Sequence, residues 1–152
     1  MSLIAAAALA AWTFKVDRDS MTDTEIAVAV APDQNKTVAF SLRCEGRGSR
    51  ELFINATSTE YLGGRGGSSQ ARDIGYRVDQ GTPSAMTGIY RSNRVMVAPS
   101  PDVDLFAEKV ATARQRIVIR LETYDGRHID GELSAVGAAQ SVGKIVEFCS
   151  KR

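Results

Sequence analysis

The stretch Thr37-Val38-Ala39-Phe40-Ser41-Leu42-Arg43-Cys44 constrains the fold more than any other part of the chain. Val38, Phe40, Leu42 and Cys44 fall on one face, and Thr37, Ala39, Ser41 and Arg43 on the other. This period of two, in β-favouring residues, predicts a strand with one face in a core. The inward row ends in a cysteine. The second cysteine, Cys149, lies close to the end of the sequence, on the apolar face of a predicted helix. Two readings follow: a Cys44–Cys149 disulfide, or two buried free thiols. A bridge closing so long a loop stabilises a fold by roughly 4–5 kcal/mol in the chain-entropy view. It also requires an oxidising compartment.

Further strands are predicted on both sides of this one. Trp12 to Val16 alternates large apolar and polar residues. Glu25 to Ala31 places Ile26, Val28 and Val30 on one face and alanines on the other. Pro32 to Lys36 reads as the hairpin turn into the central strand. Glu51 to Thr57, Ile74 to Asp79, Ser84 to Arg91 and Arg94 to Ala98 continue the pattern. Tyr61 to Arg72 carries Gly63-Gly64-Arg65-Gly66-Gly67 without periodicity and reads as a flexible loop.

The pattern then changes. Ser100-Pro101-Asp102 is a helix-start signal: a capping serine, proline at the first helical position and an acid in the first turn. Val103, Phe106, Val110 and Ala113 follow at helical spacing. Arg116 to Tyr124 and His128 to Leu133 flank Asp125-Gly126, a strong hairpin signal. Ala135 to Phe148 reads as a last helix, with Ala139, Val142, Ile145, Val146 and Cys149 on one face. Eight or nine short strands and two late helices predict a mainly β fold. The expected form is an antiparallel β-sandwich or bent, barrel-like sheet, with the last helix near the central strand.

At 152 residues, 43% of them hydrophobic, the chain suits one domain, expected over residues 12–152. A net charge of +1 draws it neither to nucleic acid nor to an acidic membrane. No apolar run approaches the roughly 20 residues of a membrane helix. Residues 1–11 are apolar and contain Ala8-Leu9-Ala10, an A-x-A pattern, without basic residues before it. They read as a truncated signal-peptide remnant. The competing reading is a short helix with no bearing on export.

No residue set predicts catalysis. The one histidine, His128, follows a turn, and no serine sits in a nucleophile elbow. One histidine and two distant cysteines do not make a zinc site. Asp17, Asp19, Asp23 and Glu25 lack calcium-loop spacing and read as a solvated acidic turn. The Gly63–Ser69 stretch lacks the lysine and hydroxyl residue of a P-loop. Arg43, Arg47, Arg50, Arg65, Arg72 and Arg77 are interleaved with acids and read as a mixed solvated face. Neither enzyme activity nor a cofactor is expected.

Several of these segments together resemble the type VI secretion-associated VasI/TagO-like family of small bacterial envelope proteins. Trp12 opens the first strand, and Asp19-Ser20-Met21-Thr22-Asp23 is similar to the family's short acidic turn. Leu42-Arg43-Cys44 resembles its Arg-Cys strand end, and Tyr76-Arg77-Val78-Asp79 its Tyr-Arg-hydrophobic-Asp strand. Phe106 with Arg116 to Gly126 is similar to its helix-then-hairpin, and Cys149 to its late cysteine. Two departures stand out: no tryptophan follows Tyr76, and no aromatic residue lies near Glu132. The resemblance implies a periplasmic or secreted, non-catalytic accessory protein acting through a protein partner. An alternative is an inhibitor of a lysozyme-like enzyme, because Thr87-Gly88-Ile89-Tyr90 is similar to the Ser-Gly-x-Tyr loop of periplasmic lysozyme inhibitors. Thr87, Gly88, Tyr90, Arg43 and Arg77 are therefore the candidate interaction residues.

Overall fold

A computed structural model describes residues 11–33 and 35–151; the signal-like segment, apart from Ala11, lies outside the described residues. The strands are β1 (Thr13–Arg18), β2 (Glu25–Ala31), β3 (Val38–Glu45), β4 (Leu52–Ser58), β5 (Gln70–Val78), β6 (Ser84–Arg91), β7 (Arg94–Val97), β8 (Arg116–Glu122) and β9 (His128–Ser134). The helices are α1 (Pro101–Ala111) and α2 (Ala138–Ser150). All strands join one antiparallel sheet in the order β1-β2-β3-β4-β7-β6-β5-β8-β9. Of the two expected forms, the bent sheet is the one adopted.

The curl of the sheet is visible in one side chain. Phe106 of α1 lies 5.5 Å from the ring of Phe40 on β3 and 4.9 Å from that of Tyr76 on β5, measured between centroids. Four strand spacings separate β3 from β5 within the sheet. A side chain that touches both requires the sheet to wrap around it. Helices α1 and α2 pack on each other, α2 against β1, β2 and β3, and α1 against β4. The helices therefore cover the apolar concave face, which is where the core sits.

The two ends of the sheet are fastened where they approach. Trp12 donates its indole N–H to the Ser134 carbonyl (2.6 Å) and its backbone N–H to Val136 (2.9 Å). Asp33 forms an isolated bridge with Leu133. A Cβ on Gly131 would meet Val38 Cβ at 2.9 Å, so glycine there lets β9 run close to β3.

Local expectations are met in part. Ser100 caps α1 by accepting from the Val103 N–H, with Pro101 at the first turn. Val103, Phe106 and Val110 are buried, whereas Ala113 lies beyond the end of the helix. α2 begins at Ala138, not Ala135, and this shifts its inner stripe. Ala138, Ser141, Val142, Ile145, Phe148 and Cys149 are buried, while Ala139 and Val146 face solvent. On β2 the alanines are the inward row: Ala27, Ala29 and Ala31 lie opposite Cys44, Leu42 and Phe40. Small side chains there let α2 lie close to the sheet.

Candidate functional site

Cys44 and Cys149 are bonded, with Cα atoms 5.9 Å apart across 105 residues of sequence. The bridge joins the end of the inward row of β3 to the last turn of α2. Ser49 Oγ lies 3.0 Å from Cys44 Sγ, and the Arg50 N–H donates to the Cys149 carbonyl (2.8 Å). No helix of the described residues is long and apolar enough to cross a membrane. A disulfide-bonded chain of this kind is compatible with an extracytoplasmic location.

Among the described residues no group of three or more histidine, cysteine or acidic side chains is placed to hold a metal ion. The acidic turn is spent on its neighbours. Asp17 pairs with Lys15, Asp23 with Arg18 and Glu25 with Arg47. Asp19 accepts from the Met21 and Thr22 N–H groups, which holds its carboxyl below the usual range. His128 is exposed at the start of β9, opposite Glu122.

The candidate interaction residues divide between the two faces of the sheet. Tyr90 points inward and is fully buried. Its hydroxyl donates to the Asp73 carbonyl (2.6 Å), and burial, the largest influence, pushes its phenol above the ordinary value. Gly88 also faces inward, and a Cβ there would meet Val95 Cγ1 at 2.6 Å. These two residues are packing positions in the middle of β6, not an exposed loop. Thr87, Arg43 and Arg77 face outward. Arg77 is turned onto its own hairpin, donating to the Gly81 carbonyl (2.8 Å).

Two residues, Arg72 and Asp79, hold the fold through roles that their sequence patterns do not assign. Arg72, read as part of a solvated face, points inward opposite Gly88. It donates to the carbonyls of Glu122 (2.9 Å), Thr123 (2.8 Å), Leu62 and Gly63 (3.2 Å). This pins the glycine-rich stretch, where Leu62 is fully buried. Asp79 accepts from the N–H groups of Arg114 (3.0 Å), Gln115 (2.7 Å) and Arg116 (3.1 Å), and the Arg114 N–H leads in lowering its carboxyl. The Tyr76–Asp79 segment thus ties β5 to the start of β8.

The outer face of the sheet is the best candidate for a binding surface. Register places Thr13, Val30, Ser41, Asn55, Met96, Ile89 and Ala71 in one row across seven strands. Met96 is 45% exposed and Ile89 42%. On one side of the row lie Lys15, Val28, Arg43 and Phe53, and on the other Ala39, Thr57, Arg94 and Arg91. A solvated outer face usually alternates to polar residues. Here Val30, Met96, Ile89 and Ala71 break that alternation within a mixed row, and cations border it on both sides. Among the described residues, Arg43, Arg91 and Arg94 join no ion pair. Val30, Ser41, Arg43, Asn55, Thr57 and Arg94 line a shallow groove of about 280 Å³. Asn55 Oδ1 is buried there without a partner among the described residues. Compared with family models, curated proteins and solved structures, the chain matches none.

Proposed function

We propose that this protein is an exported, non-enzymatic accessory protein of the bacterial envelope that binds a protein partner through the outer face of its sheet. The observation that carries this reading is the Val30–Asn55–Met96–Ile89 stripe with Lys15 and Arg43 on one flank and Arg94 and Arg91 on the other. Apolar area gives affinity when it is removed from water, and flanking cations select a partner with carboxylates around an apolar ridge. The Cys44–Cys149 bridge supports an oxidising compartment. The resemblance of Asp19–Asp23, Leu42–Cys44 and Tyr76–Asp79 to VasI/TagO-like proteins favours a role beside the type VI secretion apparatus.

The test is genetic and chemical together. Loss of the gene is expected to weaken type VI-dependent killing of neighbouring cells. The wild-type chain restores killing, and Met96→Asp with Ile89→Asp does not, although that variant unfolds at the same temperature as wild type. Thiol trapping in whole cells is expected to find Cys44 and Cys149 blocked. Unchanged killing in the deletion strain removes the secretion role, and free thiols in the cytoplasm remove export.

A further inference from the structure

The sheet has two edge strands, β1 and β9. The edge of β9 is partly met by Trp12, Asp33 and Thr37, whereas among the described residues that of β1 is left open along its length past Trp12. β1 ends the strand order, and among the described residues its outer edge is bonded only at its start. The phase of the ladder shows which groups are free. The Asp19 N–H donates to the Thr24 carbonyl (2.8 Å), so residues 17, 15 and 13 also turn their backbone groups toward β2. Phe14, Val16 and Arg18 turn theirs away. Trp12 shares that outward phase, and its N–H is the one taken by Val136.

We infer that this edge pairs with the same edge of a second copy of the chain, antiparallel about a two-fold axis at Val16. The charges of β1 select this register. With Val16 opposite its own copy, Lys15 of each chain lies opposite Asp17 of the other, so the exposed Lys15–Asp17 pair within each chain (3.2 Å) extends to two interchain pairs on the outer face. Slipping the pairing by two residues in either direction sets Lys15 against Lys15 or Asp17 against Asp17. Like charges directly opposite each other in a sheet are unfavourable. On the other face Phe14 lies opposite Arg18 of the second chain, an arrangement that suits a cation–π contact.

The side chains around the edge fit the same occupant. Val16 is 42% exposed although it points toward the helix side of the sheet. It borders a groove with Phe14 and Phe148, rimmed by Lys144, Glu147 and Lys151. The two-fold pairing covers each Val16 with the other and brings the two grooves together. Edge strands with unpaired backbone groups are templates for another strand. A self-complementary charge order makes the chain's own β1 the matching one. The assembly is a continuous sheet of two chains, which engages Lys15 and leaves Met96, Ile89, Arg43, Arg91 and Arg94 of both outer faces open.

The test is the association state of the full 152-residue chain by sedimentation velocity over a concentration series. Wild type is expected to sediment as a dimer. Lys15→Asp and Asp17→Lys each create two like-charge pairs and are expected to raise the dimer dissociation constant about tenfold or more. Mixing these two variants restores complementary pairs and is expected to give a heterodimer of wild-type affinity. Val16→Pro removes an N–H that has no partner within the fold, a position where an edge strand tolerates proline. It is expected to be monomeric with unchanged circular dichroism. A wild-type chain that stays monomeric at every concentration overturns the inference. So do charge variants as dimeric as wild type, or a mixture that does not recover.

Discussion

The guanidinium carbon of Arg72 lies 4.2 Å from the centroid of the Tyr90 ring, and this pair locks two connections of the chain together. Arg72 reaches the Leu62–Gly63 carbonyls before β5 and the Glu122–Thr123 carbonyls at the end of β8. The Tyr90 hydroxyl donates to Asp73 and accepts from the Glu122 N–H (3.3 Å). Removing Arg72 leaves several part-buried carbonyls short of donors, and such losses cost more than the bonds contributed. Arg72→Leu is expected to lower stability by about 3 kcal/mol, and Tyr90→Phe by about 1 kcal/mol. Urea unfolding of both single variants and the double variant checks this. The double variant is expected to cost less than the sum, because the two side chains touch.

The Cys44–Cys149 bridge gives a second prediction. It closes a loop of 105 residues, so its main effect falls on the unfolded chain. The double alanine variant, Cys44→Ala with Cys149→Ala, is expected to lose roughly 4–5 kcal/mol. Its unfolding midpoint is then unchanged by reductant, whereas the wild-type midpoint falls when reductant is added. Unfolding in urea with and without reductant reads both effects. The Arg50 N–H bond to Cys149 remains in either case and holds the helix end near β3.

Asp33 contributes to the acid behaviour of the curled sheet where its two ends approach. Its carboxylate accepts from the N–H groups of Asn35 (3.0 Å), Thr37 (2.6 Å), Val38 (2.8 Å) and Glu132 (3.0 Å), and from the Thr37 hydroxyl (2.7 Å). Burial, the largest single influence, pushes the carboxyl up, but these bonds together outweigh it and hold it below the usual range. A lowered folded-state value means that this stabilisation is complete above the unfolded value of about 3.9. It is lost as pH falls through the lower folded value. Asp33→Asn is expected to destabilise at neutral pH by about 2 kcal/mol. It also flattens the loss of stability below about pH 4 relative to wild type. Thermal unfolding as a function of pH, wild type against variant, measures the difference.

What was legible in the sequence follows from local periodicity. Val38, Phe40, Leu42 and Cys44 alternate cleanly, and so the strand and its buried row were readable. Ser100-Pro101 and the Val103–Phe106–Val110 stripe did the same for α1. The order of strands was not readable, because β4 pairs with β7 and β5 with β8 across long connections. The long-range roles of Arg72 and Asp33 were hidden for the same reason: Arg72 reaches Glu122, 50 residues away, and Asp33 adds to its local turn bonds one to Glu132, 99 residues away. The Thr87–Tyr90 segment admits two readings, part of a strand over Ser84–Arg91 or an inhibitor-like loop; the strand is what forms, and Tyr90 fills the core.

Alternation also names two faces without saying which is inward, and β2 shows what decides. Ile26, Val28 and Val30 are the larger row, yet Ala27, Ala29 and Ala31 face α2. The helix needs room more than the strand needs bulk, and the valines are left for the outer stripe. Ala29 is fully buried opposite Leu42 and Phe14. Ala29→Leu adds methylenes where close packing leaves no space, and is expected to cost about 1–3 kcal/mol. Val30→Leu, one residue away on the open face, is expected to change stability by less than about 0.5 kcal/mol. Urea unfolding of the two variants separates the faces. Equal effects would mean that α2 does not hold the sheet through its alanine row, and the placement of the outer stripe would fall with it.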